Sequence, residues 1–464
     1  MNAVERFRAG LEEEYRTRFP VSWERWSRAG RALLDDTSHA VRWNEPFMPL
    51  AVRARGPHVE TVDGPVWIDY WQGHFANLFG HNPTFVREEL AAALQEGRGL
   101  QTGFLHEVES EVAELVRATT GMQAVRFTTS GTLGTFYATV AARAFTGREH
   151  VLKVSGGWHG SQPYGLVGVT PEGDHFRGVE SEGLSSGLSG ELLVTRFNDL
   201  DMLQSTFAAH GDGIACVLVE PVMGAAGGLV ATHEYLTELR TLTERHGALW
   251  IADEIITAYR YRPGDLCAHY GVRPDLLILG KALGGGMPVA AVAGRRDVLD
   301  LCTRRTGRVK FEGGTYSAHE LSLIAARTVL RKIVDEAPTI YPALFSRAER
   351  LRIGLEAAAA RAGLPVAVTG VAPGVLPGCA MLMVHPLREP LAAPARSPED
   401  LLGARHPTVD GKLLKSVLLL HDLSVRSGLG ALTTAHDDDA IDRTVARFED
   451  GLGRLRGAGL LGAV

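Results

Sequence analysis

Short apolar runs alternate with helix-like segments from residue 124 to about residue 300, and this alternation constrains the fold of the 464-residue chain more than any other feature. The runs are residues 124–128, 151–154, 215–219, 249–252, 276–279 and 289–293. Strands that alternate with helices are typical of βαβ units. The sequence therefore predicts an α/β fold with a mainly parallel sheet covered by helices.

The segments on either side of this region predict further helices and strands. Helices are expected within residues 3–35, 84–97, 106–119, 317–335 and 438–456, and strands within residues 51–70 (with a turn at Asp63-Gly64) and 370–384. The proline- and alanine-rich stretch 386–407 is expected to be irregular. We expect a large domain over residues 84–325 and a smaller α+β domain built from residues 1–83 and 326–464.

Lys281 is the most unusual residue of these apolar runs. It follows the strand-like run 275–280 and precedes the glycines 284–286. An ammonium at the end of a buried strand costs several kcal/mol to desolvate unless it is paired, neutralised or used covalently. Burial also lowers the pKa of a lysine and makes the amine a nucleophile, as Schiff-base chemistry requires. A lone strand-end lysine would more simply reach solvent, so the interpretation depends on its neighbours.

Asp253 ends a second apolar run, residues 248–252. In doubly wound sheets, ligands gather at the carboxyl ends of the strands. A carboxylate there can keep the ring nitrogen of pyridoxal phosphate (PLP) protonated, which makes the ring an electron sink. The alternative is that Asp253 only caps the next helix. Lys281 at the next strand end favours the first interpretation.

A third strand end, at Thr128, leads into the small and hydroxyl residues 129–132, Thr-Ser-Gly-Thr, ahead of the helix-like segment 133–143. Backbone N–H groups and hydroxyls at a helix N-terminus bind phosphate. The sequence contains neither a Walker phosphate loop nor a GxGxxG fingerprint in a βαβ setting. Many helices begin in this way, so the pattern is informative only together with Lys281 and Asp253.

Together these runs resemble the class III, fold-type I, PLP-dependent aminotransferases, and within them the branch of glutamate-1-semialdehyde aminomutase and the β-amino-acid aminotransferases. The likeness extends in order over nearly the whole chain. The matching runs are residues 67–70 (WIDY), 80–82 (GHN), 129–132 (TSGT), 144–148 (AFTGR), 156–160 (GGWHG), 219–221 (VEP), 252–255 (ADEI), 280–281 (GK), 284–288 (GGGMP) and 313–315 (GGT). The resemblance implies a fold-type I architecture, PLP bound in the large domain, and a homodimer with shared active sites.

The resemblance also implies roles for individual residues. Lys281 would form the Schiff base with PLP and shuttle the proton, and Asp253 would pair with the pyridine nitrogen. Ser130, Gly131 and Thr132 would hold the phosphate.

Five further residues are implied around the cofactor. Thr315 would reach the phosphate bound by the other subunit. Trp158 stands where the family usually has a tyrosine stacked on the ring, and its indole offers a larger π-face. Glu220 is expected near the phenolic edge of the ring, and Ile255 is expected to contact the cofactor. His159 is expected either to contact the cofactor or to be a structural histidine of its loop.

Two residues are candidates for substrate recognition. Arg42 resembles the aminomutase arginine that binds a substrate carboxylate, a role that suits the bidentate guanidinium. The alternative for Arg42 is a surface arginine before a strand. His74 falls where the aminomutase has a tryptophan in its pocket, which indicates either a different substrate or a structural role.

The chain departs from the family pattern at two places. Leu133-Gly134 replace the Glu-Ala pair that usually opens the helix after the phosphate residues, so a helix N-terminal charge is missing. Residues 424–430 are short and glycine-rich where relatives carry a functional glutamate or a mobile arginine for the second substrate's carboxylate. Arg426 is a possible replacement whose register matches poorly. This departure weakens the aminotransferase interpretation but not the use of PLP.

Composition narrows the function only slightly. A formal net charge of -6 gives no reason to expect binding to nucleic acid or to an anionic membrane. No apolar run approaches the ~20 residues of a membrane span, and the N-terminus lacks the core of a signal peptide. The four cysteines show neither a CxxC pair nor metal-ligand spacing. We therefore expect a cytoplasmic protein with free thiols and no metal site.

Two classes of function stay open on the sequence. The first is an enzyme: an aminotransferase for a β- or ω-amino acid, an amine or an amino sugar, with an aminomutase, a racemase or a decarboxylase as variants on the same site. The second is a non-catalytic relative that kept the fold for binding or assembly. The intact Lys281, Asp253, Thr315 and residues 130–132 argue against the second class.

Overall fold

The structure, a computed structural model, describes residues 2–29, 32–34, 37–172, 176, 178–426 and 428–461. Its helices are α1 (Ala3–Arg18), α2 (Pro20–Ala29), α3 (Gln72–Phe75), α4 (Thr84–Gln95), α5 (Glu107–Thr120), α6 (Gly131–Thr146), α7 (Leu188–Glu191), α8 (Leu200–His210), α9 (His233–His246), α10 (Arg296–Leu299), α11 (Glu320–Ala362), α12 (Pro398–Leu402), α13 (Gly411–Leu420) and α14 (Asp438–Gly457). Its strands are β1 (Ala51–Arg55), β2 (His58–Thr61), β3 (Val66–Asp69), β4 (Ala124–Thr128), β5 (His150–Val154), β6 (Leu192–Thr195), β7 (Ile214–Val219), β8 (Val222–Met223), β9 (Leu229–Val230), β10 (Leu249–Asp253), β11 (Leu276–Leu279), β12 (Ala290–Gly294), β13 (Val366–Thr369), β14 (Met381–Pro386), β15 (Leu423–Ser424) and β16 (Gly430–Ala431).

A seven-stranded sheet in the order β4-β12-β11-β10-β7-β5-β6 forms the centre of the molecule. The strands from β11 to β6 run parallel to their neighbours, whereas β12 is antiparallel to both β11 and β4. All residues of β7, β10 and β11 are buried, as expected of strands covered on both faces. The predicted mainly parallel α/β sheet is confirmed.

The parallel strands bring the residues of interest to one edge of this sheet. The carboxyl ends of β5, β7, β10 and β11 lie at the same edge because these strands are parallel neighbours. The chain that leaves those ends carries the loop after Val154, then Glu220, Asp253 and Lys281. The topology therefore collects residues that are far apart in the sequence.

Helix α6 packs closely on this sheet because of Gly134. A Cβ added at Gly134 would lie 3.0 Å from Cγ2 of Ile278 in β11, which is tighter than an ordinary van der Waals contact. Ile278 is β-branched and carries this methyl group toward the helix. The glycine that departs from the family pattern is thus explained by the isoleucine that faces it.

The N- and C-terminal segments share a second, smaller sheet. The antiparallel strands β1, β2 and β3 are joined by β15, which pairs in parallel with β3. A further antiparallel sheet contains β13, β14 and β16. The smaller α+β unit built from both ends of the chain is therefore present.

Helices α11 and α12 differ from the sequence-based expectation. Helix α11 has 43 residues and contains Pro338 and Pro342, whereas a helix was predicted only over residues 317–335. Proline lacks the N–H donor and usually ends a helix, so the pattern misleads at this point. Helix α11 also continues across the proposed domain boundary at residues 325–326, and that boundary stays a prediction.

The stretch 386–407 was expected to be irregular, but it contains the short helix α12, which Ser397 begins with a capping box. In the N-terminal region α2 ends at Ala29, and residues 30, 31, 35 and 36 lie outside the described part of the chain. Among the helices described, none combines the length and the hydrophobicity needed to cross a lipid bilayer.

Candidate active site

Lys281 occupies a constrained position after β11, from which Gly280 separates it. Its backbone is left-handed, with φ of 49°, which L residues other than glycine rarely adopt. Such backbone strain persists only where the surroundings enforce it, and it concentrates at functional sites. Lys281 is half-buried, and burial lowers its pKa from 10.5 to about 8 although the charges of Asp253 and Glu220 oppose this shift. A fraction of this amine is therefore neutral, and so nucleophilic, near physiological pH.

The Asp253 carboxylate is buried at the end of β10 and is held in place from two sides. Nδ1 of His159 lies 2.9 Å from Oδ2 of Asp253, and the N–H of Ile255 donates to Oδ1 at 3.2 Å. Burial lowers the pKa of His159. Nε2 of His159 has no hydrogen-bond partner in the described residues and faces Gly157, whose added Cβ would lie 2.9 Å away. These contacts favour the interpretation of His159 as a structural residue that positions Asp253.

The N-terminus of α6 forms the second part of the site. Oγ of Ser130 caps the helix by accepting from the N–H of Leu133 at 3.3 Å. A Cβ added at Gly131 would lie 2.6 Å from Cδ1 of Ile255, and a Cβ added at Gly160 would overlap Thr132. Both positions therefore require glycine, and they lie at the end of the helix where free N–H groups and the helix dipole favour an anion.

Lys153 anchors the loop between Ser155 and Gly165, and sequence reasoning missed it. Its side chain lies in β5, is fully buried, and donates from Nζ to the carbonyl oxygens of Gly157 at 3.0 Å and Gly165 at 3.2 Å. Burial lowers the pKa of Lys153 to about 8. The signal in the sequence was a lysine inside the apolar run 151–154.

The same loop carries Trp158 and joins it to Glu220. The N–H of Trp158 donates to Oε1 of Glu220 at 3.0 Å, and the N–H of Gly224 donates to Oε2 at 3.2 Å. Burial, reinforced by the charge of Asp253, raises the pKa of Glu220 to about 8. Trp158 remains 39% exposed, so part of the residue is accessible to a ligand.

Thr315 lies apart from this group within the single chain. It is exposed and follows Gly313 and Gly314, whose φ angles are 71° and 92°. Its carbonyl oxygen accepts from Nε2 of Gln101 at 2.6 Å. Within the described residues of one chain, no hydrogen bond joins Thr315 to Lys281.

The candidates for substrate recognition lie around a left-handed turn. His74 belongs to α3, the turn Gln72–Phe75, in which all four residues have positive φ. The rings of His39 and His74 are 4.6 Å apart, and Arg42 is exposed on the short helical turn Ala40–Arg42. Burial lowers the pKa of His74 to about 4, and the charges of His39 and Arg42 add to this shift.

Arg426 belongs to this neighbourhood despite its poor register with the family. It is half-buried, and its charge contributes to the pKa shifts of Lys281 and His74. Burial lowers the pKa of Arg426, and the charge of Glu220 opposes that shift. The adjacent Ser427, which belongs to the glycine-rich stretch 424–430, lies outside the described residues.

Comparison with known proteins identifies the family of the chain. The family described as Aminotransferase class-III matches residues 40–362. The glutamate-1-semialdehyde 2,1-aminomutase of Anaeromyxobacter dehalogenans is 34% identical over 397 residues, which cover 85% of this chain and 88% of the relative.

Two solved structures extend the likeness to the whole fold. A β-phenylalanine aminotransferase from Variovorax paradoxus has a TM-score of 0.84 at 29% identity, covering 97% of this chain and 98% of the other. A transaminase with PLP bound has a TM-score of 0.83 at 26% identity, covering 95% of this chain and 99% of the other. The chain therefore belongs to the class III aminotransferases, a family of PLP-dependent enzymes with the fold-type I architecture.

Proposed function

We propose that the protein is an aminotransferase that acts on a β- or ω-amino acid. The observation that carries the proposal is the guanidinium of Arg426. It is half-buried, it acts electrostatically on Lys281, and it forms no hydrogen bond or ion pair within the described chain. A substrate carboxylate would supply the missing anion, which a guanidinium binds in bidentate fashion.

The residues present fit PLP as the cofactor. The N-terminus of α6, opened by Gly131, suits the phosphate because a side chain there would collide with Ile255. The buried Asp253 suits the pyridine nitrogen, and Lys281 suits the aldehyde. When bound, PLP supplies an electron sink that stabilises negative charge at the substrate's amino carbon.

The protein supplies proton transfer and orientation. Lys281, whose pKa is lowered to about 8, would move the proton at the substrate's amino carbon once its amine is free. His159 and the N–H of Ile255 fix the Asp253 carboxylate, so that it cannot rotate away from a ring nitrogen. Burial raises the pKa of Glu220 and so favours its protonated form, which would donate a hydrogen bond to an oxygen placed against it.

We also propose that the active unit is a homodimer with shared sites. The support is the exposed turn of Thr315 and the apolar surface beside it. Tyr316 is 60% exposed, and Phe104 and Leu105 are 81% and 92% exposed on the segment whose Gln101 binds the carbonyl of Thr315. Large apolar side chains exposed together are typical of an interface.

The second candidate function is an intramolecular aminomutase, which the 34% identity to the Anaeromyxobacter enzyme supports. The experiment that separates the two adds β-, ω- and α-amino acids, matched amines without a carboxylate, and glutamate-1-semialdehyde to the PLP-loaded protein. An aminotransferase converts the cofactor to its pyridoxamine form, which absorbance reports. Product formation without this conversion would instead indicate isomerisation, racemisation or decarboxylation.

A matched variant tests the role of Arg426. Arg426→Met should raise the KM for the best amino acid by about 10- to 100-fold, because a charge-assisted hydrogen bond is lost. The amine without a carboxylate should keep its KM. Equal effects on both substrates would contradict the assignment of Arg426 to the carboxylate.

A further inference from the structure

Polar atoms without partners gather around the left-handed turn that follows β3. Nε1 of Trp71, Oε1 of Gln72 and Nε2 of His74 are buried and have no hydrogen-bond partner among the described residues. Trp71 contacts His74 edge to face, with their ring centroids 4.9 Å apart. Buried polar atoms are almost always paired in a folded protein. Oε1 of Gln72 can only accept a hydrogen bond, whereas the indole N–H of Trp71 is an unpaired donor, and it is this donor that a ligand with an acceptor group would satisfy.

Lys415 adds a buried charge to this site. It lies on α13, is only 7% exposed, and places Nζ 4.5 Å from the centroid of the Trp71 ring. In the described part of the chain its ammonium forms neither a hydrogen bond nor an ion pair. The cation–π contact offsets only part of the cost of desolvating an ammonium. Lys415 is not one of the residues to which the proposed function assigns a role.

Asp69, the acid whose charge acts on Lys415, is already engaged by other donors. Oδ1 of Asp69 accepts from the N–H of Trp71 at 3.0 Å. Oδ2 accepts from the N–H of Gln72 at 2.8 Å and lies 2.7 Å from Nε2 of His81. Asp69 therefore holds the turn in shape, and although its charge acts on Lys415, no hydrogen bond or ion pair joins the two among the described residues.

The other charges around this turn are also positive. Burial lowers the pKa of Lys415 to about 8, and the charge of Arg426 adds to that shift. Arg42 and Arg426 likewise contribute to the lowered pKa of His74. Apart from Asp69, whose carboxylate is engaged by the turn and by His81, the charges that act on Lys415 and His74 are thus positive and favour an anion.

We infer that Lys415 and Trp71 form a subsite for a second anionic group, so that the preferred amino substrate or its acceptor carries two anionic groups. The inference rests on the proposed function, since Arg426 takes the first carboxylate. The second group, a carboxylate or a phosphate, would accept from Nζ of Lys415 and from the indole N–H. Both donors would then have a hydrogen-bond acceptor.

The test measures the binding of anions that lack an amino group to the PLP-loaded protein. Calorimetry compares butanedioate, pentanedioate and hexanedioate with the monocarboxylates of equal length, and adds 3-phosphonopropanoate. At least one dianion should bind about tenfold more tightly or better than its matched monoanion. Tighter binding of the phosphonate than of the dicarboxylates would assign the subsite to a phosphate, and the reverse order would assign it to a carboxylate. Equal binding of dianions and monoanions by the unmodified protein would overturn the inference.

Variants test whether the preference for dianions arises from Lys415 and Trp71. Lys415→Met keeps the length of the side chain and should remove the preference for dianions, whereas Lys415→Arg should retain it. Lys412→Met removes an exposed lysine from the same helix and should leave the preference intact. If Lys415→Met does not fold, Trp71→Phe removes only the indole N–H and should reduce the preference about threefold or more. A preference that survives both Lys415→Met and Trp71→Phe would also overturn the inference.

The outcomes distinguish this inference from the proposed function. Dianion preference without conversion of the cofactor by any amino compound would support the subsite and contradict the aminotransferase. Conversion by amino acids with a single carboxylate, without any dianion preference, would support the aminotransferase and contradict the subsite.

Discussion

The buried ammonium of Lys153 should make the stability of the protein depend on pH in a predictable direction. Burial lowers its pKa from 10.5 to about 8 in the folded chain. Because the folded value lies below the unfolded one, the unfolded chain binds more protons between these two pH values. The free energy of unfolding should therefore rise with pH across this window, and the cost of the buried charge is fully present below about pH 8.

The size of the effect follows from the shift. One pKa unit corresponds to about 1.4 kcal/mol, so the full window is worth about 3 kcal/mol, of which about 2.5 kcal/mol is reached by pH 10. Lys153→Met lacks this contribution while it keeps the volume of the side chain. The stability of the natural protein relative to Lys153→Met should therefore increase by about 2–3 kcal/mol between pH 7 and pH 10.

Urea unfolding of the cofactor-free protein, followed at several pH values, measures this difference. Lys281 and Lys415 are present in both proteins, so their contributions to the pH dependence of stability cancel in the comparison. Lys310→Met removes an exposed lysine and controls for the general loss of charge. A difference between natural protein and Lys153→Met that stays constant from pH 7 to pH 10, or that falls, would refute the reasoning.

Three further predictions concern the proposed cofactor site. Lys281→Ala should abolish turnover and should leave no cofactor attached after borohydride treatment, which mass spectrometry of the peptide checks; full activity would exclude the assignment. Asp253→Asn should fold normally by circular dichroism but lower kcat by orders of magnitude, because the electron sink is weakened; a loss within about twofold would contradict it. Thr315→Ala should lose one hydrogen bond to a charged group, worth about 1.5–3 kcal/mol, and so weaken PLP retention. Mixing Lys281→Ala with Thr315→Ala chains at low PLP should then restore activity through hybrid dimers that contain one intact site, and no gain on mixing would exclude shared sites.

The central sheet and its strand ends could be predicted because both follow from local pattern. Apolar runs between helical segments identify buried strands, and parallel topology then brings Asp253 and Lys281 to one edge without knowledge of any contact. Lys153 was missed for the same reason: a single lysine does not interrupt the apolar pattern of residues 151–154. What it binds, the carbonyls of Gly157 and Gly165, depends on how the following loop turns back.

The residues proposed to bind the substrate were less predictable, because they come together only in the tertiary structure. Lys415 lies over Trp71. In the sequence it is only one of a few polar residues in a mostly apolar segment, and nothing there indicates this contact. Arg426 was judged by its register, although a long side chain reaches a site from more than one backbone position. The length of α11 was underestimated because its two prolines are tolerated within a helix that packs against α14, α5 and α4.

The pairing of β15 with β3 has a consequence for the order of folding. Nε1 of Trp67 donates to the carbonyl of Leu419 across 352 positions of the sequence, so the smaller sheet cannot close before β15 is synthesised. The strands of the central sheet all lie within residues 124–294, so this sheet can form before the C-terminal segments are synthesised. Contacts of long sequence separation form late and slowly. A nascent chain should therefore complete the proposed cofactor-binding edge first and acquire the surroundings of Trp71 and Lys415 last, so that loss of the C-terminal helices would spare the former and abolish the latter.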